Sequence, residues 1–416
     1  MFGRLIEPVW RKKFTAPYIH IVFGARQTGK STLLKHLLPE AALWLDLSDP
    51  EQRFTHLRDP GRFARLCRAL PSTAPPALVV VDEAQHVPAI FDAVQHLYDL
   101  DHTRWRFVLC GSSARRLQRT GANLLPGRAI LHQLYALTAL ERPFPETGAG
   151  RPAAASPLPF DQPGLPPDLP AFPSANLLER LTFGELPGVA VAPEDAREDL
   201  LRTYSYVYLE EEIRREALVR NWTAFARFLQ LAASESGQAL NYARIARDAG
   251  VALPTVKGYY QLLEEMFLGF RVTAFSGSRR KTLLSTERFF LFDVGVRHAA
   301  AGLPVQAATV VANPGPVFEQ WVGSELWKRL RYLGTGSLHY LRTKGGAEVD
   351  FIVDRGGQLT PIEVKWTDNP SPSDARHLVA FLREHAPAAR HGFLICRCQE
   401  PQRLHEQVTA LPWFAL

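Results

Sequence analysis

The segment GARQTGKST, residues 24–32, constrains the fold of this chain more than any other feature. It fits the pattern G-x-x-x-x-G-K-S/T, follows the strand-like run YIHIVF and precedes the helical run STLLKHLL. A strand, a glycine-rich loop and a helix in this order present backbone N–H groups and a positive helix end to a polyphosphate. The segment therefore predicts a nucleotide-binding loop in a parallel α/β domain. The predicted loop consists of Gly24, Ala25, Arg26, Gln27, Thr28, Gly29, Lys30, Ser31 and Thr32.

An acidic motif further along supports this prediction, because the apolar run ALVVV ends in Asp82 and Glu83. We expect Lys30 to reach the β- and γ-phosphates of ATP, and Ser31 and Asp82 to hold Mg²⁺. Glu83 is then placed to polarise the attacking water. A third apolar run, RFVLCGSS, ends at Ser112, which either orients the γ-phosphate or caps the next helix.

Two strand-like segments near the C-terminus, EVDFIV and TPIEVKW, flank a Gly-Gly pair and predict a hairpin. Strict alternation along the first strand places Asp350 on the face opposite Val349, Phe351 and Val353. Glu363 and Lys365 are two residues apart, so they share a face of the second strand. The hairpin is expected to bring Asp350 next to Glu363.

Two neighbouring carboxylates with backbone carbonyl oxygens nearby favour a site for Mg²⁺ or Mn²⁺. Lys365 beside them can activate water or stabilise developing charge on a phosphate. The order D-x12-E-V-K resembles the PD-(D/E)XK nucleases, and this resemblance implies a further metal ligand on an upstream helix: Glu319 of GPVFEQWVGSELWKRL, with Glu325 as its rival. The alternative is a surface strand that carries charge pairs without chemistry.

The whole chain divides into four parts. Residues 1–143 alternate strand-like and helical runs, which is typical of a parallel sheet covered by helices. Residues 144–174 are rich in proline and predict a linker or insert, residues 175–300 predict a helical region, and residues 301–416 predict a smaller α/β domain. The net charge of +6 and the pI of about 9.2 permit a polyanionic partner such as nucleic acid.

The segment LNYARIARDAGVALPTVKGYYQLL has the pattern of a helix-turn-helix, with Gly250 ending the first helix. The apolar face of the second helix is formed by Val256, Tyr260 and Leu263, so Tyr259 is expected to point elsewhere. The following FRVTAFSGSRRKTLL predicts a wing, which makes the region a winged helix that contacts DNA or serves only for packing and subunit contacts. The residues predicted to contact DNA are Thr255, Lys257, Arg279, Arg280 and Lys281.

Cysteine usage and hydropathy bear on the compartment. The four cysteines form no C-x-x-C pair, which favours free thiols in a reducing environment. The N-terminal segment MFGRLIEPVWRKKF lacks the apolar core of a signal peptide, and no apolar run approaches the length of a membrane span. We therefore expect a soluble, cytoplasmic protein without a membrane partner.

The motifs of residues 15–142 resemble those of the AAA+ ATPases. The stretch GSSARRLQRTGANLLPGRA is similar to the branch of bacterial and archaeal ATPases that pairs an AAA_14 domain with a C-terminal DUF4143 domain. The resemblance implies ATP and Mg²⁺ as cofactors and Arg128 as an arginine finger acting on a neighbouring subunit, with Arg115 and Arg116 as alternatives. A shared finger implies self-association into a ring, most plausibly a hexamer.

The C-terminal pattern D-x12-E-V-K is similar to the signature of the PD-(D/E)XK nucleases. The expected fold is thus α/β: an AAA+ P-loop ATPase domain, a helical and winged-helix middle region and a restriction-endonuclease-like domain. The implied function is ATP hydrolysis coupled to binding and remodelling of branched or forked DNA, with metal-dependent DNA cleavage. The alternatives are a DNA-binding ATPase with an inert nuclease-like domain, and an ATP-switched protein-interaction module without DNA.

Overall fold

The computed structural model describes residues 2–71, 76–112, 127–145, 158, 165–166, 168–215, 219, 221–276, 286–343 and 346–416. The chain forms two compact units. Unit 1 contains Met1–Ala136, Pro163–Pro170 and Leu262–Leu268, and unit 2 contains Leu137–Gln162, Ala171–Gln261 and Gly269–Leu416. Within the described ranges, no helix combines the length and the apolar character that a membrane crossing requires. All four cysteines are free, as predicted, and all four are buried.

Unit 1 is built around a five-stranded sheet of order β2–β3–β4–β1–β5 in which every pair is parallel. Its strands are β1 (Ile19–Phe23), β2 (Leu43–Asp46), β3 (Ala77–Asp82), β4 (Trp105–Gly111) and β5 (Ala129–Gln133). Its helices are α1 (Glu7–Lys13), α2 (Lys30–Leu37), α3 (Pro50–Arg58), α4 (Arg62–Ala69) and α5 (Ala89–Leu100). Every residue of β1 and β3 is buried, which explains why apolar residues dominate both strands. The parallel α/β fold predicted for this region is confirmed.

A pair of buried histidines joins β1 to β5. His20 Nδ1 lies 3.0 Å from His132 Nε2, and both rings lie about 5 Å from the ring of Phe14. Burial lowers the pKa of His20, and burial together with the His20 charge lowers the pKa of His132 to about 3. Lys13 and Arg106 add to this effect. Both rings are therefore neutral in the folded unit at pH 7.

We expect this pair to make the stability of unit 1 depend on pH. The folded-state pKa values lie below the unfolded value near 6.5, so the stabilisation is complete above about pH 6.5 and is lost as the pH falls. At pH 5, protonation of His132 in the unfolded chain lowers the free energy of unfolding by about 2 kcal/mol. Thermal unfolding at pH 7.5 and pH 5.0 checks this, because His132→Gln should show a smaller drop in Tm between the two pH values than the wild type. An equal drop in both proteins would contradict it.

Unit 2 contains most of the described helices. They are α6 (Leu177–Phe183), α7 (Pro187–Ala190), α8 (Glu194–Thr203), α9 (Leu209–Arg215), α10 (Trp222–Ser234), α11 (Tyr242–Ala249), α12 (Leu253–Glu265), α13 (Val294–Ala300), α14 (Ala307–Ala312), α15 (Pro314–Leu333) and α16 (Arg376–Glu384). The last residues of α12, from Leu262, belong to unit 1. A π-helical turn at Tyr204–Tyr208 connects α8 to α9.

The sheet of unit 2 has eight strands in the order β12–β13–β11–β10–β9–β8–β6–β7. The strands are β6 (Gly269–Ala274), β7 (Glu287–Leu291), β8 (Ser337–Arg342), β9 (Glu348–Arg355), β10 (Gln358–Val364), β11 (Gly392–Cys396), β12 (Gln402–His405) and β13 (Val408–Pro412). One apolar cluster contains Phe318 and Val322 of α15, and a second contains Leu378 and Phe381 of α16. The long helix α15 and the shorter α16 thus pack on separate apolar clusters.

The helix-turn-helix segment follows its predicted boundaries. Helix α11 is followed by Gly250 in the left-handed conformation (φ +70°), and α12 begins at Leu253. The predicted apolar residues of α12, Val256, Tyr260 and Leu263, are all buried.

The prediction that Tyr259 points away from this core is wrong. Its ring lies 4.9 Å from Phe225 and 5.1 Å from Phe228 of α10, so it is buried as well. Lys257 is exposed and lies over the ring of Tyr242 at 5.4 Å, and Thr255 is half-buried. The DNA contacts predicted for Thr255 and Lys257 stay predictions.

β6, which overlaps the segment predicted to form a wing, belongs instead to the large sheet of unit 2. β6 and β7 are antiparallel partners, but β6 also pairs in parallel with β8. The physical reason is apolar burial: Phe270 and Val272 of β6 are buried, and a projecting wing would leave such residues in water. The predicted boundary at residues 300 and 301 therefore cuts through one sheet. The predicted wing-tip residues Arg279, Arg280 and Lys281 lie outside the described residues.

Candidate functional sites

The glycine-rich loop of unit 1 connects β1 to α2. A Cβ at Gly24 would lie 2.2 Å from the carbonyl oxygen of Leu134, so the backbone just after β5 leaves no room for a side chain at this position. Gly29 precedes α2 with φ +90°, a conformation that costs glycine little. Both glycines of the pattern thus have a structural reason, and the loop leads directly to the N-terminus of α2.

Lys30 is buried at the base of this loop. Its Nζ donates to the carbonyl oxygens of Gly24 and Ala25 at 2.8 and 2.9 Å, and the Thr28 hydroxyl donates to Ala25 at 2.9 Å. These bonds hold the ammonium group against the loop, where the phosphates of a nucleotide are expected. Gln27 and Thr32 are exposed, and Arg26 is half-buried.

Arg4 is a buried residue of this site for which the sequence contains no motif. Its guanidinium donates to the carbonyl oxygen of Thr28 at 2.7 Å and to that of Tyr135 at 2.8 Å. It therefore connects the loop to the chain that follows β5. A lone arginine far upstream of the loop offers no sequence signal for such a contact.

The acidic pair lies at the end of β3, at the same sheet edge as the loop. Burial raises the pKa of Asp82, and hydrogen bonds from the side chains of Ser31 and Cys110 partly offset this effect. The structure thus brings together the two predicted Mg²⁺ ligands, Ser31 and Asp82. Glu83 adopts a left-handed conformation with φ +53°, and its carboxylate accepts a hydrogen bond from Gln85.

Arg128 lies at the amino-terminal end of the parallel strands, opposite the end that carries the glycine-rich loop. It precedes β5 and forms a partly exposed ion pair with Asp99 (Nε–Oδ1 2.5 Å). Ala129 is the register partner of Ile19, five residues before Gly24, which corresponds to about 16 Å along the strand. Arg128 therefore cannot reach the loop of its own subunit without unfolding β5. The alternatives Arg115 and Arg116 lie outside the described residues.

The C-terminal hairpin forms as predicted. β9 and β10 are antiparallel and joined by Gly356 and Gly357, both with positive φ. Phe351 pairs with Ile362, so the next residues in register are Asp350 and Glu363. The Val364 N–H donates to Asp350 Oδ2 at 2.8 Å, which fixes the aspartate at the end of the hairpin.

The expected strict alternation along β9 is wrong beside Asp350. His339 of β8 pairs with Ile352 and Leu341 pairs with Val349, so three steps along β9 face two along β8. Val349 and Ile352 accordingly pack in the cluster with α16, whereas Phe351 packs in the cluster with α15. A β-bulge of this kind redirects side chains locally. It places the break in alternation at the candidate catalytic aspartate.

Helix α15 and strand β7 complete the group of charged residues around Asp350. Lys365 Nζ lies 2.8 Å from Glu363 Oε1. Arg288 of β7 donates to Glu319 at 2.8 Å and also pairs with Glu348. Arg288 and Glu348 belong to no sequence motif, so their contacts with this group were not predicted. We call the group Glu319, Glu348, Asp350, Glu363, Arg288 and Lys365 the acidic cluster.

The carboxyl groups of the acidic cluster lie close together, and the pKa values of three of them are raised. Burial, and next the charge of Glu363, raises the pKa of Asp350. Burial and the charge of Asp350 raise the pKa of Glu319 although its side chain is 26 % exposed, and burial raises that of Glu363. Four carboxylates face two cations, so full ionisation leaves an excess of two negative charges.

Glu325, the rival of Glu319, has a different environment. It is buried in ion pairs with Lys328 (3.0 Å) and Arg329 (2.9 Å) and accepts from the Ala139 N–H at 3.0 Å. Despite burial, Lys328 and Arg329 hold its pKa below the usual value. Of the two glutamates, only Glu319 lies in the acidic cluster.

A preformed metal site is absent among the described side chains. Across the residues that the structure describes, no group of three or more His, Cys, Asp or Glu side chains is arranged to hold a metal ion. Glu363 Oε2 is buried and finds no hydrogen-bond partner among the same residues.

Unit 1 therefore has the features of a P-loop domain of AAA type: a glycine-rich loop, an acidic pair and a polar strand end lie at the carboxyl-terminal end of one parallel sheet. Residues 16–142 match the family of AAA domains, and residues 314–416 match the domain of unknown function DUF4143. Residues 174–307 match a further domain of unknown function, DUF8612. The chain thus has an N-terminal AAA domain and a C-terminal DUF4143 domain, which confirms the predicted pairing.

Several proteins are similar to this chain over most of its length. An uncharacterized protein of Mycobacterium tuberculosis is 26% identical over 361 residues, which cover 86% of this chain and 72% of the relative. An uncharacterized protein of Mycobacterium bovis has the same values. A Haemophilus influenzae protein, also uncharacterized, is 23% identical over 370 residues, covering 83% of this chain and 82% of the relative. The similarity is therefore not restricted to the AAA domain.

Proposed function

We propose that this protein hydrolyses ATP and uses the reaction to bind and remodel DNA, with branched or forked DNA as the preferred substrate. We further propose that the acidic cluster is a metal-dependent phosphodiesterase site. The observation that carries the proposal is the presence of two assembled groups of charged residues. One lies around Lys30 and Asp82 and suits a nucleotide, and the other lies around Asp350 and suits a phosphodiester.

The ATPase part rests on the roles that the residues at one sheet edge can take. Lys30 would neutralise the β- and γ-phosphates, and Ser31 and Asp82 would hold Mg²⁺. Glu83 would orient and polarise the attacking water. Because Asp82 is buried, a bound cation would also compensate its charge.

The phosphodiesterase part rests on the charge of the acidic cluster. The crowding of four carboxyl groups around two cations and the buried, unpartnered Glu363 Oε2 fit a divalent cation such as Mg²⁺ or Mn²⁺, which would favour their ionised forms. Glu319, Asp350 and Glu363 would hold the cation, which would supply Lewis-acid stabilisation of the phosphate. Lys365, already oriented by Glu363, would assist the attacking water or neutralise developing charge.

One observation favours the second candidate, a DNA-binding ATPase whose acidic cluster is inert. Arg288 and Lys365 already pair with three of the four carboxylates, and the described residues lack a preformed metal-ligand arrangement. In that case exposed basic side chains such as Lys257 would hold a DNA backbone without cleaving it.

A single set of incubations separates these functions. Labelled four-way junction, fork and linear duplex are incubated with and without ATP, in Mg²⁺ or Mn²⁺. The proposal predicts a gel shift, ATP consumption and cleavage products in the presence of metal. A shift without products supports the inert cluster, and no shift with any substrate contradicts the DNA part of the proposal.

The position of Arg128 predicts that a ring or another oligomer is required for full activity. Arg128→Ala should lower ATP turnover while nucleotide affinity stays nearly unchanged, because the arginine is too far from its own loop to contact the nucleotide. Mixing Arg128→Ala with Lys30→Ala subunits should restore part of the turnover, since each subunit supplies what the other lacks. Steady-state hydrolysis of the mixture measures this. A protein that stays monomeric with ATP and shows no recovery would contradict it.

A further inference from the structure

Gln85 occupies a position in the nucleotide site that neither the phosphate loop nor the acidic pair explains. It lies in the 3-10 turn Ala84–His86, directly after Glu83, and its side chain is buried. Its Nε2 donates to the Glu83 carboxylate and, at 3.3 Å, to the Ser112 hydroxyl. Gln85 is thus in contact with both the proposed water-activating residue and the proposed phosphate-orienting residue.

The space for this side chain is provided by Gly111 at the end of β4. A Cβ at Gly111 would lie 2.3 Å from Gln85 Oε1, so any larger residue there would displace the amide. Gln85 Oε1 itself is buried and has no hydrogen-bond partner within the described part of the chain. A buried amide oxygen without a partner is costly, which indicates a position determined by something other than stability.

The chemistry of an amide suits a connection between these two groups. Glutamine can donate to a carboxylate but cannot give up its proton, so Glu83 stays ionised while its orientation is fixed. His86 is a second neighbouring donor, but its Nε2 lies 3.9 Å from Glu83 Oε2, beyond hydrogen-bond distance. A hydroxyl that accepts from Gln85 can still donate to a phosphate oxygen.

We propose that Gln85 is a positioning residue that connects Ser112, facing the γ-phosphate, to Glu83, which activates water. The contact of Ser112 with a γ-phosphate would orient the Gln85 amide, and the amide would orient the Glu83 carboxylate toward the attacking water. Glu83 would therefore be aligned for hydrolysis only when a nucleoside triphosphate is bound. This inference rests on the proposed ATPase activity.

The test compares Gln85→Ala and the isosteric Gln85→Glu with the wild type in the full chain. Both variants lose the N–H that Glu83 accepts, so kcat should fall about 10- to 100-fold, as expected for a partner that orients a reacting group. KM for ATP and the Kd for a fluorescent ATP analogue should change less than about 3-fold, since the lost interaction acts only in the chemical step. Gln52→Ala, on the exposed face of α3, is the matched control and should behave as the wild type.

A double-mutant cycle with Ser112→Ala distinguishes positioning from simple loss of structure. If Gln85 and Ser112 act as one unit, the double variant should lose little more kcat than either single variant. Losses of kcat that multiply, or a matching loss of nucleotide affinity, would overturn the inference. So would normal turnover by Gln85→Ala in a wild type that hydrolyses ATP. A wild type that hydrolyses no ATP would instead overturn the proposed ATPase itself.

Discussion

Glu83→Gln is expected to bind ATP with nearly normal affinity and to hydrolyse it about 100- to 10,000-fold more slowly, the range that a positioned general base contributes. The amide keeps the size of the side chain and can still contact Gln85. It cannot accept a proton from the attacking water, so only the chemical step is affected. Steady-state phosphate release measures turnover, and equilibrium binding of a fluorescent ATP analogue measures affinity.

Lys30→Ala gives the complementary result. It removes the charge that neutralises the β- and γ-phosphates, so nucleotide binding should be lost together with turnover. The two variants thus separate binding from hydrolysis within one site. Hydrolysis by Glu83→Gln at the wild-type rate would show that another residue activates the water.

Asp350→Asn is expected to abolish DNA cleavage and to leave ATP hydrolysis and DNA binding largely intact. The amide preserves the shape of the side chain and can still accept the Val364 N–H, but it removes a charge that a hard divalent cation requires. We expect affinity for Mn²⁺ to fall by at least about 100-fold, more than for loss of an outer partner. Cleavage is measured on branched and linear DNA in Mg²⁺ and Mn²⁺, and metal affinity by calorimetry.

The same strand offers a matched control. Asp354 of β9 accepts the Gly357 N–H in the hairpin turn and lies outside the acidic cluster. Asp354→Asn retains that acceptor, so cleavage and metal affinity should remain at wild-type values. If the wild type cleaves nothing under these conditions, yet binds DNA and hydrolyses ATP, the phosphodiesterase proposal is wrong and unit 2 serves to hold DNA.

The sequence predicts local features of both sites well. The glycine pattern around Lys30, the acidic pair after β3 and the hairpin ending in Glu363 depend on residues close in sequence, where spacing determines geometry. Glu319 and Glu325 show the limit of this reasoning. Six residues apart on one helix, they face different directions, and periodicity does not say which of them faces Asp350.

The features that sequence analysis missed depend on contacts between distant segments. Arg288 reaches the acidic cluster because β6 pairs with β8, and nothing within β6 or β7 specifies that partner. Arg4 contacts the phosphate loop across a sequence separation of 24 residues. The bulge beside Asp350 arises from the pairing of β9 with β8, so the sequence of β9 alone predicts plain alternation.

The shared sheet of unit 2 has a consequence for how this protein can change in evolution. β6 and β7 lie in the segment that matches DUF8612, whereas β8–β13 lie in the segment that matches DUF4143. A chain that began at residue 314 would expose the edge of β8 and lose Arg288, leaving the four carboxylates with Lys365 alone. The two segments therefore contribute strands to one sheet, and recombination between them would break that sheet rather than exchange a domain.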